Sequence, residues 1–331
     1  MALITPIAIT ATLTYAIPTP PPATATLTRP FLPEITATPA SRTTPNAVAV
    51  DAENHLWVGE GEEDSVAEFN PANIGDAPPT RLRSIKVSTL PSSVAVERAT
   101  TGDFYVASSK AQETPIEVLS STGAHLETWR PFEEPYIAID NSTEPLTDPS
   151  ACGAPPLAPS ECFVYVSLRG TDPTVHAVKK LNSRGQPVAF AYATACAQDN
   201  CKYVNGNELN GRPAGTGCGD TFTLTEHPAA DAVDAEGNIY VAVPPCARIF
   251  EYRASGEYVQ AFELEREEVP RLEGQVGLPE GIAVNPVSNH LLVVVTADRH
   301  NGTTAHALYE FDTETGEFVS EITEASEQQL P

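Results

Sequence analysis

The chain has 331 residues, 41% of them apolar and 19% charged, enough for a sizeable core. Its net charge is −25, from 44 acidic against 19 basic residues, which repels phosphate backbones and excludes nucleic acid as a partner. Thirty-one prolines and 20 glycines, with no sustained helical periodicity, exclude a helical bundle and point to short strands joined by turns.

Residues 1–44 begin with an apolar run, Met1 to Ile17, that Pro6 interrupts and no Lys or Arg precedes. Its repeated threonines make it too polar for a membrane span. The whole of 1–44 reads as a signal sequence, through its apolar start, as a surface stalk, through its Thr/Pro/Ala-rich remainder, or, through "ATATLTRPF", as a closing strand.

From Pro45 onward one pattern recurs: proline, an apolar-Ala-apolar triplet, then an acidic or amide residue. It reads "PNAVAVD" (45–51), "PSSVAVE" (91–97), "PYIAID" (135–140), "PAADAVD" (228–234) and "PEGIAVN" (279–285). Asp231 departs from it, standing where an apolar residue opens the triplet. A second strand follows each: "HLWVGE", "DFYVAS", "CFVYVSL", "NIYVAV" and "HLLVVV". A third comes next, as in "SVAEFN", "ARIFEYR" and "ALYEFD", and then a glycine turn leads to a fourth, as in "NSRGQPVAF" and "RASGEYVQAF". Four short strands per unit are the grammar of a propeller blade, whose two apolar faces require stacked neighbours. The expected fold is all-β, a β-propeller over residues 45–322 with a C-terminal tail at 323–331. The acidic markers are spaced 46, 43, 94 and 51 residues apart, so a further blade is expected, degenerate within residues 181–227 or completed by the N-terminal stretch. Six blades are favoured and five are the alternative.

These segments, "PNAVAVDAENHLWVGE" and "PAADAVDAEGNIYVAV" above all, resemble NHL repeats. The resemblance implies a propeller and is specific to fold, not function. "AVAVDAENHLWVGEGEEDSVAEFN" is also similar to blades of streptogramin lyases, which implies a metal-dependent elimination, although no matching His–Glu constellation is evident.

Six cysteines, Cys152, Cys162, Cys196, Cys201, Cys218 and Cys246, indicate an oxidising, extracellular or cell-surface location. Fifteen pairings are open. The preferred set is Cys152 with Cys162, Cys196 with Cys201, and Cys218 with Cys246; zinc is a minor option.

Metalloprotease, nucleophile-elbow and phosphate-loop motifs are absent. Asp51, Glu97, Asp140, Asp234 and Asn285 occupy the same place in each blade, so a propeller axis could gather them around Ca2+ or Mg2+. The preferred reading is that each ends its strand and accepts turn hydrogen bonds. His55 and His290 read as turn residues, and His300 and His306 lack further ligands. Asn141 and Asn301 head N-x-Thr glycosylation sequons. No cofactor is required. The leading expectation is a protein- or glycan-binding module acting through loops on one face; a metal-dependent propeller lyase, lactonase or hydrolase is the alternative.

Overall fold

The computed structural model describes residues 45–61, 63–70, 80–88, 90–98, 101–108, 115–129, 132, 134–142, 162–168, 178–195, 204–209, 228–272, 274–285, 288–298 and 304–322. The N-terminal segment 1–44, the tail 323–331, four of the six cysteines and the sequon at Asn301 lie outside them.

The described strands form five antiparallel sheets. The first holds β1 (Pro45–Val50), β2 (Leu56–Glu60), β3 (Ser65–Asn70) and β4 (Thr80–Lys86). The second holds β5 (Ser93–Val96), β6 (Phe104–Ala107), β7 (Glu117–Leu119) and β8 (His125–Thr128). The third holds β9 (Pro135–Ile139), β10 (Phe163–Leu168), β11 (Val178–Asn182), β12 (Val204–Asn205) and β13 (Glu208–Leu209). The fourth holds β14 (Ala230–Val233), β15 (Ile239–Val243), β16 (Arg248–Tyr252) and β17 (Tyr258–Glu263). The fifth holds β18 (Leu278–Val284), β19 (His290–Asp298), β20 (Thr304–Asp312) and β21 (Phe318–Ile322). The innermost strands pack in chain order: β1 on β5, β5 on β9, β9 on β14 and β14 on β18.

Period-two alternation sends each strand's side chains into two different seams. On β15, Ile239, Val241 and Val243 face the third sheet, with Phe163, Tyr165 and Phe190, while Tyr240 and Ala242 face the fifth, with Leu291, Val293 and Tyr309. Trp57 and Phe104, with ring centroids 4.8 Å apart, fill the first seam, and Tyr105 and Trp129, at 5.3 Å, the second. Each such fully buried side chain contributes roughly 1.5–3 kcal/mol. Polar clamps join neighbours too. Ile137 N–H donates to Ser93 Oγ (3.0 Å), Asn141 Nδ2 donates to the Val96 carbonyl (3.0 Å), and Asn141 Oδ1 accepts Arg98 N–H (2.6 Å). The Asn141 amide is thus built into the second seam rather than presented as a glycan acceptor.

The glycine of the third-to-fourth-strand turn recurs for a steric reason. Gly123, Gly185 and Gly256 all have positive φ, and a Cβ would fall within 3 Å of Ile85, Trp129 and Phe190 respectively. Each of those side chains comes from the outer edge of the preceding sheet, so the turn presses on its neighbour only because it has no side chain.

Among the described residues the count is five sheets, the alternative rather than the favoured six. Of the stretch 181–227, where a degenerate blade is expected, residues 196–203 and 210–227 lie outside the described set, and the rest adds to the third sheet. "NSRGQPVAF" begins the third sheet's outer strand but makes only an isolated bridge, Leu181 with Pro187, plus Val188 N–H to the Lys180 carbonyl. Pro187 has no N–H for a ladder, and the chain leaves the sheet. Phe190 plunges into the core and the short helix α1 (Ala191–Ala195) follows. The β12–β13 hairpin then completes the edge, Val178 pairing with Leu209.

Candidate functional site

The five repeat-end residues sit immediately after β1, β5, β9, β14 and β18, and each accepts hydrogen bonds from its own turn. Asp51 Oδ1 takes His55 N–H (2.7 Å) and Oδ2 takes Trp57 Nε1–H (2.9 Å). Glu97 takes Thr101 N–H and its hydroxyl (3.4 and 3.3 Å). Asp140 Oδ1 takes Ser142 N–H (3.0 Å) and its hydroxyl (2.5 Å). Asp234 is the fullest case: Oδ1 accepts Glu236 and Asn238 N–H, and Oδ2 accepts Asn238 Nδ2–H and the buried Tyr240 hydroxyl, all between 2.7 and 3.0 Å. Asn285 Oδ1 takes Ser288 N–H at 3.4 Å. Asx residues close such turns because the short side chain replaces a backbone acceptor.

Burial sets the electrostatics. Glu97 is pushed up to about 7 by desolvation, with Thr101 opposing and the Asp103 carboxylate adding to the rise. Glu251, on β16 across from Tyr240, is also pushed up to about 7 by burial, against the hydrogen bond from Gln260.

One group of side chains among the described residues has the geometry of a cation site, and it is not the set of repeat ends. Asp51, His55 and Glu68 bring one ligand atom each within 4.8 Å of the others. His55 Nδ1 lies 2.9 Å from Glu68 Oε1 and 3.4 Å from Asp51 Oδ2. The other Glu68 oxygen accepts Arg83 Nε–H, and the Arg83 guanidinium lies 5.1 Å over the Trp57 ring. Trp57, Glu68 and Arg83 form one cross-strand row, so the sheet register assembles the group. Both carboxylates already carry donors from the protein, and a cation would compete with Arg83 for Glu68. As it stands, the group braces the first turn against the middle of its sheet.

The same row recurs elsewhere. Tyr240 pairs with Glu251 and Glu251 with Gln260, whose Nε2 donates to Glu251 at 2.8 Å. In the fifth sheet His290 Nδ1 lies 2.8 Å from Glu310 Oε1, and Ser320 donates to Glu310 Oε2 at 2.8 Å. Reading His55 and His290 as turn residues captured their place but missed their acidic partners. The signal was present: Glu68-Phe69, Glu251-Tyr252 and Glu310-Phe311 put a glutamate at one register of the third strand.

Of the cysteines, Cys162 (before β10) and Cys246 (in a 3-10 turn, Pro244–Cys246) are described; both are buried and neither is a free thiol. The preferred pairings all involve residues outside the described set. Among the described residues no helix is long and apolar enough to cross a membrane.

No protein-family pattern and no curated protein matches the chain. Similarity emerges among solved structures. A nidogen/laminin complex is similar at 12% identity and TM-score 0.46, over 84% of this chain and 80% of that one. A functionally unknown protein from Desulfotomaculum acetoxidans is similar at 11% identity and TM-score 0.45, over 85% and 86%. Virginiamycin B lyase from Staphylococcus aureus is similar at 10% identity and TM-score 0.41, over 85% of each chain. At these identities nothing of the neighbours' activities passes to this chain, and its β-propeller architecture rests on its own four-stranded antiparallel sheets packed in chain order.

Proposed function

We propose that this protein is an extracellular binding propeller that takes a protein or glycan ligand through the strand connections at one end of its sheets. The observation that carries this reading is the unequal treatment of the two ends. Because the strands are antiparallel, first-to-second and third-to-fourth connections lie at one end, and the other two kinds lie at the opposite end. Those at the first end are mostly short, 51–55, 97–103, 234–238, 285–289, 120–124, 253–257 and 313–317, with 71–79 and 140–162 longer. There the repeat-end carboxylates are engaged in holding turns. The opposite end carries connections of unequal length, short at 61–64, 87–92, 129–134, 244–247 and 299–303 and longer at 108–116, 169–177, 210–229 and 264–277. Irregular loops held by a rigid scaffold are where recognition resides. The net charge of −25 favours a ligand with basic groups. Location outside the cell rests on the six cysteines, with the buried Cys162 and Cys246 in non-thiol form.

The test is capture from the native extracellular milieu with wild-type protein and with a variant in which 108–116 is replaced by a short Asn-Gly turn. A partner enriched by the wild type and lost with the variant is the expected result. No enrichment, together with measured small-molecule turnover, would overturn the reading. A second reading, a metal-dependent enzyme, draws on the Asp51–His55–Glu68 group. Elemental analysis of the purified protein, followed by Asp51→Asn, tests it: retained metal that the substitution removes would favour it.

A further inference from the structure

The five sheets make four complete seams and one half-seam. Four core clusters each combine residues from two adjacent sheets. The remaining cluster, Val58, Ala67, Phe69 and Leu56, comes from the first sheet alone. The repeat says which partner is missing. Val48 and Val50 occupy the positions of Val94 and Val96 in the second sheet and of Ile137 and Ile139 in the third. In those sheets the pair packs on the preceding sheet and is 4–6% exposed, whereas Val48 is 63% and Val50 42% exposed.

The far side of the fifth sheet has the matching defect. Val294 pairs with Leu308 and Leu308 with Ile322, a row facing away from the fourth sheet, with Val294 42% and Ile322 46% exposed. Among the described strands, β18 and β1 lack packing comparable to that which joins the other innermost neighbours. Among the described residues, then, Val48 and Val50 of the first sheet and the Val294–Ile322 row of the fifth face no partner sheet, while Val58, Ala67 and Phe69 deeper in the first sheet are 0–8% exposed without a described sheet packed on them.

We infer that residues 5–31 of the chain's own N-terminal segment supply two strands that fill this place and close the ring as a sixth blade. Three observations select this occupant. Residues 32–44 link the segment to β1, the strand that carries the exposed Val48 and Val50. Its sequence has the period of a strand: Ile7, Ile9, Ala11, Leu13, Tyr15 and Ile17 alternate with Ala8, Thr10, Thr12, Thr14 and Ala16. After the Pro-rich break at 18–22 a second alternation runs Ala23, Ala25, Leu27 against Thr24, Thr26, Thr28. Finally, no charged residue precedes Arg29, although 19% of the whole chain is charged, and this suits a segment held between two apolar faces better than a solvated stalk.

The experiment places a photo-crosslinking benzoylphenylalanine at Val48, and separately at Val294, in the full chain, with the products mapped by mass spectrometry. Crosslinks within one monomer from both sites to peptides of residues 5–31 are the expected result. Four outcomes overturn the inference: no protein crosslink, crosslinks between two copies, crosslinks from Val48 to the fifth sheet, or an intact mass showing that the folded protein lacks residues 5–31. Should the probe at Val48 unfold the chain, the probe at Val294 decides alone.

Discussion

Asp231 offers the sharpest energetic test. It stands on β14 where Val48, Val94, Ile137 and Ile282 stand in the other repeats, and is 9% exposed with both carboxyl oxygens buried. Desolvation pushes its carboxyl from the ordinary 3.8 up to about 7, with the neighbouring Ser167 opposing only part of that rise. An unfolded chain ionises this group near 3.8, whereas the folded protein keeps it protonated to about 7. The unfolded state therefore binds fewer protons across that window, and stability falls as pH rises through it. At about 1.4 kcal/mol per pKa unit, the ionised carboxyl costs on the order of 4 kcal/mol at pH 8 and little at pH 4.5. Asp231→Val restores the apolar residue of the repeat and removes this pH-dependent penalty. Glu97 and Glu251 titrate in the same direction in both proteins, so the difference between variant and wild type isolates Asp231. Urea unfolding at pH 4.5 and pH 8 is the assay. The variant should gain roughly 3–4 kcal/mol more at pH 8 than at pH 4.5. Equal differences at the two pH values, or a variant less stable at pH 8, would refute the reasoning.

Three further outcomes follow from the geometry. Asp234→Ala leaves the buried Tyr240 hydroxyl and three turn donors without their acceptor, a loss of about 3–5 kcal/mol by thermal or urea unfolding, while Tyr240→Phe loses only about 1 kcal/mol. Gly256→Ala, at φ 88 with its Cβ 2.9 Å from the Phe190 ring, is expected to cost about 2–4 kcal/mol. Gly206→Ala, at φ 59 with nothing within 4 Å, should cost about 1–2 kcal/mol, which the same melts will compare. Arg83→Met removes the donor on Glu68 and the cation over Trp57; a destabilisation of about 1–2 kcal/mol is expected, with increased Zn2+ uptake by titration calorimetry if Arg83 is what keeps a cation out.

The blade grammar was legible because it is local and repeated. Each "VAV" triplet, each turn Asp and each turn Gly answers to a steric or hydrogen-bonding need within its own sheet or the next. The third sheet's outer edge was not legible, because Pro187 ends one candidate strand and the replacement hairpin, Val204–Leu209, comes from a stretch with no repeat pattern. The acidic partners of His55 and His290 were missed for a different reason. Glu68 and Glu310 are distant in sequence and become neighbours only through strand register. Asp231 was visible as a departure from the repeat, but its titration follows from burial that no single triplet discloses.

The central functional claim separates a structural end of the sheets, held by Asp51, Asp140 and Asp234, from a recognition end. It is tested most directly by measuring the affinity of the captured partner for three proteins below their melting temperatures: wild type, the variant shortened at 108–116, and Asp234→Asn. The expected result is at least about a tenfold loss, roughly 1.4 kcal/mol, for the shortened variant and an affinity within about twofold of wild type for Asp234→Asn. The reverse pattern, unchanged binding after shortening and lost binding in a still-folded Asp234→Asn, would contradict it.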